Sequence, residues 1–204
     1  MIWYACYGSN LDLQRFMVYL QGGSLTVGGT VKNYKHCEKD TAMPRESEPY
    51  FIEGQQLYFA KESKTWNGRG VAFLRGDHQN RVYARLYLIS KVQFEHLFAS
   101  ENGRASTKVD FDTILKYKFQ DFDYTFYNRI ALLDEDYKGF PVLTFTNKEN
   151  LPKNEPLDEY IQLIVKGLGM VHQLDNNQII EYLTASGIDA PKEYLKSNNI
   201  TSSK

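Results

Sequence analysis

The chain has 204 residues, of which 42% are hydrophobic, a size and composition that suit one globular domain with its own core and exclude wholesale disorder. Its 24 basic and 25 acidic residues leave a formal charge of −1, without the basic excess that a nucleic-acid surface needs. Two cysteines are too few for a disulfide scaffold, and no stretch approaches the ~20 apolar residues of a membrane helix. The start, Met1-Ile2-Trp3-Tyr4-Ala5, has neither the basic segment nor the long apolar core of a signal peptide. A cytoplasmic location is expected, with no nucleic-acid and no membrane partner.

In chain order, Ile2 to Tyr7 is apolar on both faces and reads as a buried strand, with Cys6 as a small filler. Gly8 is expected to end it through a positive φ, and Ser9 or Asn10 to cap a helix at once, with Ser9-x-x-Asp12 as a capping box. Leu13, Phe16, Met17 and Leu20 share one face of that helix, and Gly22-Gly23 stops it. Residues 22–54 read as a long loop with short strands, one of them at Met43-Pro44-Arg45. Gln56 to Ala60 and Gly70 to Leu74 read as strands around a turn at Trp66-Asn67-Gly68-Arg69-Gly70. Asp77 to Arg81 reads as another turn, and Val82 to Ile89 as an alternating strand.

Ser90 then caps a short helix, with Gln93 completing the box and Asn102-Gly103 as its stop, so Glu101 falls in the last turn or just past it. Residues 110–119 fit helix and strand equally. Tyr124 to Leu133 and Val142 to Thr146 read as strands around Gly139-Phe140-Pro141. A helix follows from Leu157, with Tyr160, Leu163, Ile164 and Leu168 on one face, and a second from about Asn177 to Ala185. Strands in the centre with helices at the start, middle and end define an α+β class. Residues 1–190 are expected to form a single catalytic domain, and 191–204 a polar tail.

Several chemistries lack their residues. His36, His78, His96 and His172 pair at no metal-ligand spacing, no Cys-x-x-Cys occurs, and no metal or cofactor is expected. Neither the phosphate loop Gly-x-x-x-x-Gly-Lys-Ser/Thr nor the nucleophile elbow Gly-x-Ser-x-Gly is present. The informative stretch is Tyr7-Gly8-Ser9-Asn10-Leu11. A tight turn between a strand and a helix presents backbone N–H groups and a positive helix end to an anion, and Ser9 and Asn10 add side-chain donors.

That stretch, directly after an amino-terminal strand, resembles the gamma-glutamylcyclotransferase-like superfamily. Leu97-Phe98-Ala99-Ser100-Glu101-Asn102-Gly103 is similar to the family's Leu-Asp-x-x-Glu-Gly segment, with Phe98 in place of the acidic residue and Asn102 inserted before the glycine. Tyr160, in Pro156-Leu157-Asp158-Glu159-Tyr160-Ile161, looks like a substrate-binding tyrosine near the carboxyl end of many members. Gly68-Arg69-Gly70-Val71-Ala72-Phe73-Leu74 resembles bacterial branches, and residues 32–54 and 104–123 look like remodelled loops.

The resemblance implies a mixed β-barrel core with surrounding helices and a small-molecule gamma-glutamyl substrate. It implies conversion of a gamma-glutamyl amine or peptide to 5-oxoproline, with Glu101 as general acid/base and Tyr7, Gly8, Ser9, Asn10, Leu11 and Tyr160 at the substrate. Glu101 is expected in an aromatic-walled pocket near a helix carboxyl end, where desolvation and the helix dipole both raise its pKa. Another amide-processing enzyme on the same scaffold, and a binding module that needs the loop but not Glu101, stay open. A homodimer is left open by base rate.

Overall fold

The computed structural model describes residues 1–189; the tail expected at 191–204 lies outside the described residues. The elements run β1 (Ile2–Cys6), α1 (Leu13–Gln21), β2 (Gly23–Val27), β3 (Thr30–Tyr34), β4 (Ser47–Ser63), β5 (Arg69–Ile89) and α2 (Lys91–Glu101). They continue with α3 (Phe111–Tyr117), β6 (Phe119–Asp121), β7 (Arg129–Tyr137), β8 (Phe140–Thr146), α4 (Asp158–His172) and α5 (Asn176–Ala185). Six strands form one mixed sheet in the order β4-β5-β1-β8-β7-β6, and β2 and β3 form a separate hairpin.

β1 holds the centre because all five of its residues are buried, the composition of a strand covered on both faces. It runs antiparallel to β5, with Ile2 opposite Ile89, and parallel to β8, with Trp3 opposite Val142. Its tyrosine joins an aromatic core: Tyr4 stacks on Phe145 at 5.2 Å between ring centroids, and Phe16 of α1 stacks on Tyr87 of β5 at 4.0 Å.

The expected barrel does not close. β4 and β6 are the two edges of the sheet, and β6, with three residues, pairs only with β7. Beyond the end of β1 the first part of β5 nevertheless meets the end of β8 and the segment before β7 through side chains. The Leu74 N–H donates to Thr146 Oγ1 at 3.0 Å, and the Tyr127 hydroxyl donates to the Ala72 carbonyl at 3.2 Å. The gap left where β1 stops, between these two ends, is where the site lies.

Three local expectations are corrected. Met43-Pro44-Arg45 is not a strand; β4 begins at Ser47, although Arg45 N–H already donates to Leu88 O at 2.9 Å. The adjacent Pro44 has no N–H to extend a ladder. The turn at Asp77–Arg81 is an irregularity inside β5. Glu53 pairs with Arg81 and Gln55 with Gly76, so residues 77–80 bulge out opposite Gly54, tied by Asp77 Oδ1 accepting from the Gln79 N–H at 3.0 Å. The strand expected from Tyr124 starts only at Arg129. Before it, Tyr124 packs on Phe98, and Phe126 and Tyr127 pack on Phe73, so packing of the rings overrides their strand propensity. The ambiguous 110–119 resolves into both alternatives: α3, capped by Asp110 accepting from Thr113 N–H, and then β6.

Candidate active site

At the end of β1 a cavity of about 440 Å³ opens between α1, α2, the β4–β5 turn and α4. Tyr7, Gly8, Ser9, Asn10, Glu101 and Tyr160 all line it. Residues from opposite parts of the sequence thus share one chamber, of a size that takes a small molecule.

The loop after β1 forms differently from the expected capped helix. Ser9–Leu11 makes one tight 3-10 turn, and the cap of α1 is Asp12, whose Oδ1 accepts from the Arg15 N–H at 2.8 Å. Gly8 has a φ of −113°, so its requirement is space and not a left-handed backbone. A Cβ there would stand 2.5 Å from the Tyr160 hydroxyl oxygen. α4 presses on the same turn through Gly167, where a Cβ would meet Leu11 Cβ at 2.3 Å. Leu11 is fully buried behind the cavity and is not among its lining residues; its N–H is taken by Gly8 O at 3.0 Å. Leu11 therefore supports the loop from below instead of facing the chamber.

Tyr7 donates its hydroxyl to Phe145 O at 2.7 Å, and burial pushes its pKa well above the usual phenol range. Tyr160 accepts the Ala72 N–H at 3.0 Å, which leaves its own proton free to point elsewhere, and its pKa too is raised by burial. Asn10 is held by Tyr87, whose hydroxyl donates to Asn10 O at 2.9 Å. Its side-chain Nδ2 donates to Glu101 Oε1 at 3.1 Å.

Glu101 is the last residue of α2. The capping box at Ser90 and Gln93 starts that helix, and buried Phe94, Leu97 and Phe98 fix its rotation. Asn102, the residue inserted relative to the resembled segment, has two jobs. Its Nδ2 donates to Phe98 O at 3.0 Å, and its Oδ1 accepts the Tyr127 N–H at 2.9 Å, tying the loop before β7 to the end of α2. Glu101 keeps partial exposure because it faces the cavity, while protein encloses it on its other sides. Burial raises its pKa above the ordinary carboxyl value, outweighing the Arg15 charge and hydrogen bonding by Tyr19 and Asn10, which lower it.

Sequence reasoning missed the opposite wall. Arg15, Tyr19, Tyr34 and Trp66 also line the cavity, and Arg15 is only 3% exposed. Its guanidinium lies 4.6 Å from the ring centroids of both Tyr19 and Tyr34, and its Nη2 donates to the Tyr19 hydroxyl at 2.7 Å. The one sequence signal was a cation four residues before a tyrosine on a helix, which is common on any solvated face. Tyr34 comes from β3 and Trp66 from the β4–β5 turn, which no local pattern connects to α1. Among the described residues no group of three or more His, Cys, Asp or Glu side chains could hold a metal ion, and no helix is long and apolar enough to cross a membrane.

The fold is an α+β arrangement seen before. The structure superposes on a gamma-glutamyl cyclotransferase with a TM-score of 0.55 at 13% identity, covering 97% of this chain and 99% of that one. It also superposes on an uncharacterized protein from Homo sapiens with a TM-score of 0.54 at 13% identity, covering 89% and 86% of the two chains. The fold is therefore that of gamma-glutamyl cyclotransferase, with the sheet left open. No protein-family model matches the chain. A curated protein, histone deacetylase 5 of Arabidopsis thaliana, is 25% identical over 210 residues; the match takes in 89% of this chain and spans 30% of the length of that relative.

Proposed function

We propose that the chain is a gamma-glutamylcyclotransferase-like enzyme that converts a gamma-glutamyl amine or peptide to 5-oxoproline and the free amine. Residues 1–190 serve as its catalytic domain. The observation that carries this reading is the Asn10–Glu101 hydrogen bond, which joins the Tyr7–Asn10 loop to a half-buried carboxyl group inside one cavity. The shared fold supports it. The match to the plant deacetylase covers 30% of that protein and supports no deacetylase reading.

The substrate carries its own nucleophile. Its α-amine attacks the δ-carbonyl carbon, a five-membered lactam closes, and the bond to the leaving amine breaks. Alignment within a cavity of this size supplies much of the acceleration; well-oriented intramolecular reactions gain on the order of 7–11 kcal/mol. Proton traffic remains. The α-ammonium gives one proton to Glu101, which passes it to the departing amine as the bond breaks; the ring nitrogen then gives up its second proton to Glu101, which passes it on to the free amine as that becomes an ammonium. A carboxyl group whose pKa is raised by burial serves both steps better than one at its ordinary value. Tyr160, with its proton uncommitted to Ala72, and the donors of Ser9, both in the cavity wall, hold the substrate or its developing oxyanion.

The direct test is mass-spectrometric detection of 5-oxoproline after incubation with a panel of gamma-glutamyl dipeptides and amines, with wild type and Glu101→Gln in parallel. Lactam from wild type alone establishes the reaction and the base. No lactam from any member of the panel removes the cyclotransferase reading.

A further inference from the structure

Arg15 takes no part in the cyclisation above, yet it is a guanidinium withdrawn from water with donors to spare. Such a group is costly to bury unless an anion meets it. Nη2 is satisfied by Tyr19, while Nε and Nη1 have no hydrogen-bond partner. The charges of Arg15 and Glu101 act on each other within the cavity, yet none of the ion pairs among the described residues includes Arg15. Packing of its alkyl stem explains why the residue is buried, but not why two nitrogens are left over. The rings of Tyr19 and Tyr34 hold the guanidinium plane, each 4.6 Å away, in a wall of the cavity that also contains Glu101.

We propose that Arg15 is the specificity-determining residue that binds the α-carboxylate of the substrate, so that the cavity selects amides whose acyl part is an α-amino acid. This rests on the cyclotransferase reading, and it divides the head group between two walls: carboxylate on the Arg15 fork, amine toward Glu101. A planar fork held against two rings suits a carboxylate better than a lysine would. The cavity then separates a gamma-glutamyl amide from the corresponding 4-aminobutyryl amide. The second compound keeps the amine and the amide that cyclise and lacks only the carboxylate.

The experiment is calorimetric binding of L-glutamine and of 4-aminobutanamide to wild type, Arg15→Met and Arg15→Lys, each variant checked for folding by circular dichroism. Wild type should prefer glutamine by roughly 30-fold or more, the scale of charge-assisted hydrogen bonds formed away from water. Arg15→Met should bind the two alike, and Arg15→Lys should fall between. Equal binding by wild type, binding of neither compound by wild type, or an undiminished preference in folded Arg15→Met overturns the proposal. If Arg15→Met fails to fold, Arg15→Lys carries the comparison, and an undiminished preference in it overturns the proposal. Lactam release is measured separately. A glutamine preference that depends on Arg15 without any lactam would uphold the carboxylate site and remove only the chemistry.

Discussion

Asn10 and Glu101, 91 positions apart, are joined by a hydrogen bond of 3.1 Å from Nδ2 to Oε1, which makes the loop after β1 and the end of α2 a single unit. Replacing Asn10 with Asp sets a second carboxyl group against the first, and like charges raise each other's pKa. The acidic limb of the kcat/KM profile for lactam release should therefore move to higher pH in Asn10→Asp. A limb that stays in place would mean that Glu101 is not the titrating base.

Glu101→Gln should retain the fold and lose activity by roughly 10²–10⁴-fold, the usual contribution of a general acid–base group. Steady-state kinetics on the best substrate of the panel measures this.

The same substitution tests the electrostatics through stability. Because folding raises the Glu101 pKa above its ordinary value of 4.5, the folded state holds a proton that the unfolded state has already released between those two values. Stability contributed by the neutral carboxyl is therefore lost as pH rises through that window. Glu101→Gln, which stays neutral, should gain Tm relative to wild type as pH increases from 4 to 8, with little difference at the acid end. Thermal melts at a series of pH values read this, and a difference that shrinks with rising pH would contradict the assigned shift.

Gly8→Ala drives a methyl group to 2.5 Å from the Tyr160 oxygen and 3.2 Å from Ala72 Cβ. A cost of about 1–3 kcal/mol in stability is expected, along with weakened substrate binding. Gly8→Ala combined with Tyr160→Phe removes the closest clash and should cost less than the sum of the two single changes, as neighbouring sites do in a double-mutant cycle. Urea denaturation of the four proteins gives the coupling.

Asn102→Ala should cost about 1–2 kcal/mol, since it leaves the Tyr127 N–H and the end of α2 without their partner. Amide hydrogen exchange should quicken in residues 122–128 and not in β1. Uniform quickening would show that Asn102 does not act locally.

The parts of the site that were legible in the sequence are contiguous ones. Tyr7 to Asn10 are neighbours along the chain, and Ser90 with Gln93 announces the helix that delivers Glu101. The Arg15 cage was not legible because its rings come from α1, β3 and the β4–β5 turn, and only the tertiary fold assembles them. Gly8 was legible as a glycine but for the wrong reason: its constraint lies 152 positions away in the hydroxyl of Tyr160. In the fold, aromatic-rich Tyr124 to Asn128 misled because rings that suit a strand also suit a loop pinned on Phe98 and Phe73. Asp77 to Asn80 misled in the opposite sense, since turn-forming residues serve equally well in a bulge.

The contact of α4 with the turn at Ser9–Leu11 also sets a timetable. The turn leaves the ribosome before most of the sheet, but Tyr160 and Gly167, which cover that turn, emerge only after the whole sheet has been made. Until α4 follows, Glu101 and Arg15 face an unroofed groove, and a chain halted before α4 would carry both of them without a chamber to enclose them.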